Sequence, residues 1–236
     1  MTTVSSATAK AVTNVTMERF GRFWLPAWDE QAERHFVRTP RGCQLDHLDA
    51  AMAHVREWRC AVDGGAHVGS WTMALCKMFD RVLAFEPHPH TYACLVKNFS
   101  EARDAAEFRM SAELNCAALG NISGRAALVE ERHASLSTKL DLRGPGPVQV
   151  VALDDVIRDE PPVDFLKLDV EGCEVLALLG ARQTIARCKP VMLIECKDAN
   201  LRAYRSSEEQ LRETIAALGY DVVAEIEQDL IAVPRA

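Results

Sequence analysis

The chain has no apolar run near the roughly 20 residues that a membrane helix needs, no C-x-x-C pair, no internal repeat and no low-complexity tract. The first absence excludes a helical membrane span. The polar start MTTVSSATAKAVTNVT also lacks the apolar stretch of a secretory signal and reads as a loose terminus. Eight cysteines (43, 60, 76, 94, 116, 173, 188 and 196) are scattered, with no histidine spacing that would build a zinc site. Buried reduced thiols in a cytoplasmic protein are expected. Positive charge is short as well: 27 Lys and Arg against 34 Asp and Glu leave a net charge of −7. That balance provides no broad face for gripping phosphates, which argues against nucleic acid as the partner.

The 236 residues, 48% hydrophobic and 26% charged, suffice for one large core with trimmings. From Arg59 onward, short apolar strands alternate with amphipathic helices, the pattern of crossover units feeding a mostly parallel sheet. Cys60–Asp63 and Val82–Phe85 read as strands. Helices are expected after Gly69, with Trp71, Ala74, Leu75 and Met78 on one face, and over 91–99. Less regular strands fall around 114–119 and 126–129, followed by an extended piece over 148–153. Val163–Asp169 is a buried strand leading into a helix expected to begin near Glu171, and 190–195 repeats the strand pattern. Ser207-Glu-Glu-Gln210 fits a capping box for a last helix that Gly219 ends. Residues 220–226 and 230–233 then suit a closing antiparallel hairpin. The expected fold class is a doubly wound, Rossmann-like α/β sheet, mostly parallel with an antiparallel C-terminal hairpin. Residues 58–236 form that domain, and 1–57 form an extension, carrying Trp24, Trp28 and Phe36, that suits a lid or a dimer arm.

Asp63-Gly-Gly-Ala-His-Val-Gly69 lies between a strand and a helix, where an open α/β sheet presents its carboxyl ends to ligands. Its glycines let backbone approach a ligand, and the Asp63 carboxylate attracts a cationic group directly or through water. The G-x-G-x-x-G spacing of a dinucleotide site is missing, and a carboxylate at the strand tip would repel a pyrophosphate. Glu86 ends the next strand 23 residues later, where an acid accepts both hydroxyls of an adenosine ribose.

Three segments carry a family resemblance: Asp63-Gly-Gly-Ala-His-Val-Gly69, Phe85-Glu-Pro-His-Pro89 and Asp164-Phe-Leu-Lys-Leu-Asp-Val-Glu-Gly-Cys-Glu174. Weaker echoes follow the same order at 115–121, 153–155 and 189–195. The chain resembles the FkbM-type branch of class I S-adenosylmethionine-dependent methyltransferases over about residues 58 to 235. His67 stands where that family often has Asn, and the first 55 or so residues match none of its motifs. The resemblance implies S-adenosylmethionine as cofactor, held by Asp63, Gly64, Gly65, Ala66, His67, Val68, Gly69, Glu86, Pro87, His88 and Asp169. It also implies methyl transfer to a hydroxyl of a small molecule, sugar or natural product. A noncatalytic scaffold that keeps the cofactor fold and a nucleic-acid methyltransferase are the alternatives.

Methyl transfer to an alcohol is an in-line displacement that a positioned base accelerates by roughly 10²–10⁴. Asp169 is the first candidate as base or cofactor anchor. Glu171 either reaches the pocket or favours the N-terminus of the following helix. Lys167 shares a strand face with Asp169 and is expected to pair with a carboxylate such as Glu195, direct catalysis being the alternative. Asp169 with Glu195 leaves a divalent metal as an option, although no metal ligands are predicted. His67, His88 and His90 border the cofactor loops, and His133 and Ser135 fall in a 131–147 loop expected to meet substrate.

Overall fold

The computed structural model describes residues 15–38, 44–105, 108, 111–131, 134–158 and 161–235. Two short strands, β1 (Met17–Phe20) and β2 (Phe23–Pro26), precede helices α1 (Glu30–Arg38) and α2 (Leu45–Met52). Then come β3 (Cys60–Gly64), α3 (Ser70–Leu75), β4 (Arg81–Phe85), α4 (Pro89–Asp104), β5 (Ser111–Asn115) and β6 (Ala117–Leu119). β7 (Gly124–Glu131), β8 (Ala134–Asp141), β9 (Val148–Val151), α5 (Leu153–Val156) and β10 (Phe165–Leu168) follow. The chain continues through α6 (Glu174–Leu179), α7 (Arg182–Cys188), β11 (Val191–Glu195), α8 (Asp198–Ala203) and α9 (Glu208–Ala217), and ends in β12 (Tyr220–Ile226) and β13 (Asp229–Pro234).

Seven strands form the main sheet in the order β12-β13-β11-β10-β3-β4-β5. The pairings from β11 through β5 are parallel, while β13 runs antiparallel to both β11 and β12. Successive strand residues point to opposite faces, so each buried strand feeds two cores. Ala61, Val82, Phe165 and Leu193 face one core, with Leu75 and Leu95 among its members. Cys60, Val62, Leu166 and Ile194 face the other, where Leu178, Leu211 and Ile215 pack. The doubly wound class and its antiparallel hairpin are therefore present as expected. Strand order reverses between β3 and its neighbours β10 and β4, which opens a crevice at the strand tips.

Three local expectations need correction. The helix expected near Glu171 starts at Glu174. Glu171 and Gly172 instead take left-handed backbone, φ 54° and 105°, and the Glu174 carboxylate accepts N–H bonds from Val170 and Gly172 at 3.1 Å each. The extended piece at 148–153 ends at Val151, and Leu153 opens the short α5. The expected 131–147 loop is largely strand: β7 and β8 pair antiparallel and join β9 and β6 in a four-stranded sheet. The described part of the N-terminal extension packs against the rest of the chain. Phe23, Leu25, Phe36 and Leu48 are buried in the first core, and α1 packs against β8.

Candidate functional site

The cofactor loop is tied down from several directions. Gly65 and Ala66 donate backbone N–H bonds to the Phe85 carbonyl at 3.0 Å, joining the β3 and β4 tips. Gly65 has φ 76°, and a β-carbon there would lie 1.7 Å from the Asp169 carbonyl oxygen, so only glycine fits between β3 and β10. Asp63 is fully buried. Its Oδ2 accepts from the Thr72 hydroxyl at 2.7 Å, and its Oδ1 lies 3.3 Å from the Lys167 ammonium. The same ammonium donates to the Gly65 carbonyl at 3.2 Å and to the Gly64 carbonyl at 3.4 Å, and stands 3.7 Å from Asp169. Burial works against the Lys167 charge, yet Asp63 and Asp169 together hold it above the ordinary lysine range. Lys167 thus pairs with Asp63, its register neighbour on β3, and not with Glu195. Lys167 lies behind the loop, outside the lining of the cleft over the strand tips.

An open cleft of about 610 Å³ lies over the strand tips. Gly65, His67, Glu86, Pro87, Asp169 and Glu171 reach it, whereas Asp63, Gly64, Ala66, Val68 and Gly69 shape the loop from outside its lining. Phe85, Ala117, Leu119, Leu140 and Val170 give it an apolar part. Among the described residues its lining holds three carboxylates and no Lys or Arg. Glu86 accepts N–H bonds from His67 at 2.9 Å and His88 at 2.8 Å, one on each oxygen. Burial nevertheless outweighs these donors and pushes its carboxyl up to about 7.

The histidines divide. His67 sits in the loop with φ 50°, its Nε2 3.9 Å from Asp29 and its ring stacked with Phe36 of α1. Burial holds its imidazole down at about 4. His88, expected to meet the cofactor, faces the protein. It is 1% exposed, and its Nδ1 accepts from the backbone N–H groups of His90 and Thr91 at the start of α4. A helix preceded by Glu86-Pro87 leaves its first N–H groups unpaired, and His88 serves as the cap. His90 accepts from the Trp28 indole N–H at 3.3 Å. His133 lies outside the described residues, as do Cys43 and the Ser135 side chain.

Beside Asp169 the structure assembles a group that the sequence reading named only in part. Oxygens of Asp169, Glu171 and Glu195 lie within 4.8 Å of one another. The Lys197 ammonium pairs with Glu195, and the Asn200 amide donates to Glu171 Oε2 at 2.8 Å. Burial, followed by the Asp169 charge, pushes the Glu171 carboxyl up to about 8 and holds that of Glu195 well above the carboxylate range. Lys197 and Asn200 had no sequence signal beyond following a strand tip. Thr138 and Leu140, which roof the cleft from β8, had none at all.

A model of the Methyltransferase FkbM domain matches residues 63–222. No curated protein matches the chain. Among solved structures, methyltransferase FkbM from Methylobacillus flagellatus KT is similar at 22% identity and a TM-score of 0.48, over 76% of this chain and 44% of that one. The T. Thermophilus 16S rRNA N2 G1207 methyltransferase, in complex with AdoMet and guanosine, gives 15% identity and 0.44, over 81% and 42%. Magnesium protoporphyrin IX methyltransferase from Synechocystis PCC 6803, with bound SAM, gives 12% and 0.44, over 79% and 74%. The chain spans less than half the length of the first two.

Proposed function

Because the chain belongs to the FkbM methyltransferase domain family, we propose that it transfers a methyl group from S-adenosylmethionine to a hydroxyl of a small molecule, sugar or natural product. The observation that carries this reading is the composition of the cleft. An apolar part suited to an adenine adjoins three carboxylates with no Lys or Arg among the described lining residues, which suits a cation and disfavours a pyrophosphate. The donor set therefore fits S-adenosylmethionine. Glu86 would hold the ribose hydroxyls, since an ionised carboxylate has about four acceptor positions and two are filled by N–H groups. Asp169 and the Gly65 backbone would hold the amino-acid end.

When bound, the cofactor would supply an electrophilic methyl carbon on a sulfonium, for transfer to the acceptor oxygen. The protein's part is orientation and proton handling. Glu171 faces the cleft beside Asp169 and is the group placed to orient the acceptor hydroxyl and take its proton. Helix α1, which brings Phe36 against His67, acts as a lid that excludes water.

Calorimetric titration with S-adenosylmethionine, S-adenosylhomocysteine and NADH tests the cofactor. The first two are expected to bind and NADH is not. Glu86→Ala should weaken S-adenosylmethionine binding by about tenfold or more while the protein stays folded. NADH binding, or no nucleoside binding, would overturn the reading. Transfer of labelled methyl to a panel of hydroxyl compounds then tests the acceptor class.

A further inference from the structure

Glu195 ends β11 one strand away from Asp169, and the structure turns it into part of a proton-holding pair. Gly172 explains the closeness: a β-carbon there would come within 2.2 Å of the Asn200 carbonyl oxygen, so its absence lets α8 press against the turn after β10. That approach puts the Asn200 amide 2.8 Å from Glu171 and 3.5 Å from Glu195, linking the two carboxylates through one donor. Glu171 is held in left-handed backbone, a strained conformation for a residue with a β-carbon, and its side chain stands at the cleft wall.

Among the described residues, charged and titratable groups face the pair from several elements, and Asp229 on β13 stands opposite Glu195 with His47 of α2 bonded to its carboxylate. Asp169 follows β10, Glu174 opens α6, Lys139 lies on β8, Lys197 precedes α8 and His35 stands on α1 beside Asp169 and Lys197. Lys197 alone makes an ion pair with Glu195 among the described residues. The three carboxylates within 4.8 Å together with Asp63 outnumber the two ammonium groups paired with them, Lys197 on Glu195 and Lys167 between Asp63 and Asp169, which leaves a surplus of negative charge in a half-closed space. Like charges this close do not all ionise together near neutral pH.

We propose that Glu171 and Glu195 share a proton in the cofactor-free protein, and that binding of the cationic cofactor in the cleft that Glu171 lines expels it to solvent. The inference rests on the methyltransferase reading above. Cofactor binding then charges the base before the acceptor is engaged, and the acceptor's hydroxyl proton returns the pair to its one-proton state. Glu195 is a positioning residue: it acts through Glu171.

The readout is proton release, which needs no acceptor. Calorimetric binding in phosphate and in Tris at about pH 7.5 counts the protons lost per cofactor bound, from the difference in buffer ionisation heat. S-adenosylhomocysteine shares the nucleoside and amino-acid parts but lacks the sulfonium charge, so release from Glu86 on ribose binding cancels between the two ligands. S-adenosylmethionine is expected to release about half a proton or more beyond S-adenosylhomocysteine. Glu195→Gln should reduce that excess by at least half while the cofactor still binds, and Glu171→Gln should abolish it. Equal release by the two ligands in the wild type overturns the proposal without any variant. An excess unchanged in Glu195→Gln overturns the role of Glu195. Failure of S-adenosylmethionine to bind at all would instead sink the proposed function.

Discussion

Lys167 shows how a single side chain's meaning depends on its neighbours in three dimensions. Its position two residues before Asp169 was legible, and so was the need for a carboxylate partner. Which carboxylate was not, because partnership follows sheet register, and register sets Lys167 beside Asp63. Asp63 is 0% exposed and Lys167 3%, so each charge depends on the other. Removing one member of a buried pair leaves an uncompensated charge, at a cost of about 3–5 kcal/mol, whereas removing both is often nearly neutral. Lys167→Met should therefore lower the melting temperature by about 10 °C, and Asp63→Asn/Lys167→Met should recover most of the loss. Thermal unfolding of the two variants decides this. A double variant no more stable than the single one would show that the ammonium's bonds to the Gly64 and Gly65 carbonyls dominate.

At the scale of elements, one buried amide ties the N-terminal segment to both the α4 helix and the cofactor loop. The Asn98 side chain on α4 accepts from the Trp24 backbone N–H at 2.7 Å and donates to the Trp24 and Val68 carbonyls at 3.0 and 2.9 Å. It thus couples β2, α4 and the cofactor loop. Asn98→Ala leaves buried backbone groups unpaired and should destabilise by about 2–4 kcal/mol. Hydrogen exchange should show protection lost first over residues 15–38. Uniform loss across the sheet would mean that Asn98 acts on the core instead.

The strands and helices from Cys60 onward were readable because each carries its own apolar period and its own terminus. Ser207 does accept from the Gln210 N–H as the capping pattern requires. Around 126–129 the β7 strand was readable, but β8 and its pairing with β7 were not. Val129 and Leu142 are exposed, and Lys139 and Asp141 sit in or beside the same strands, so no alternation marks a buried face. His88 misled for a related reason: its neighbours in sequence pointed to the cleft, but a helix start claimed its ring. The N-terminal segment had no motif because it contributes packing, through Phe23, Leu25 and Phe36, to a core defined elsewhere.

Across the whole molecule, ligand-free stability should decline with rising pH, in contrast to the usual behaviour of salt-bridged carboxylates. Three buried glutamates and the half-buried Glu171 have raised pKa values in the folded chain: Glu86 and Glu174 at about 7, Glu171 at about 8 and Glu195 higher still. In the unfolded chain all four ionise near 4.5. Between about pH 6.5 and pH 9 the folded protein therefore binds more protons than the unfolded one, and stability falls as pH rises through these values. The histidines do not offset this. His67 and His35 have lowered values, so their charging opposes folding only below about 6.5. Lys167 and Lys197 are raised and lose their contribution only above the lysine range. The melting temperature of the ligand-free protein should drop by about 5–10 °C across this interval. Saturating S-adenosylmethionine should flatten the slope, because the bound cation favours the ionised carboxylates that alkaline pH produces. Differential scanning calorimetry with and without the cofactor measures both slopes. A ligand-free melting temperature that stays level or climbs over this range would mean that the four glutamates are ionised in the fold, and that the cleft holds its negative charge without a proton to lose.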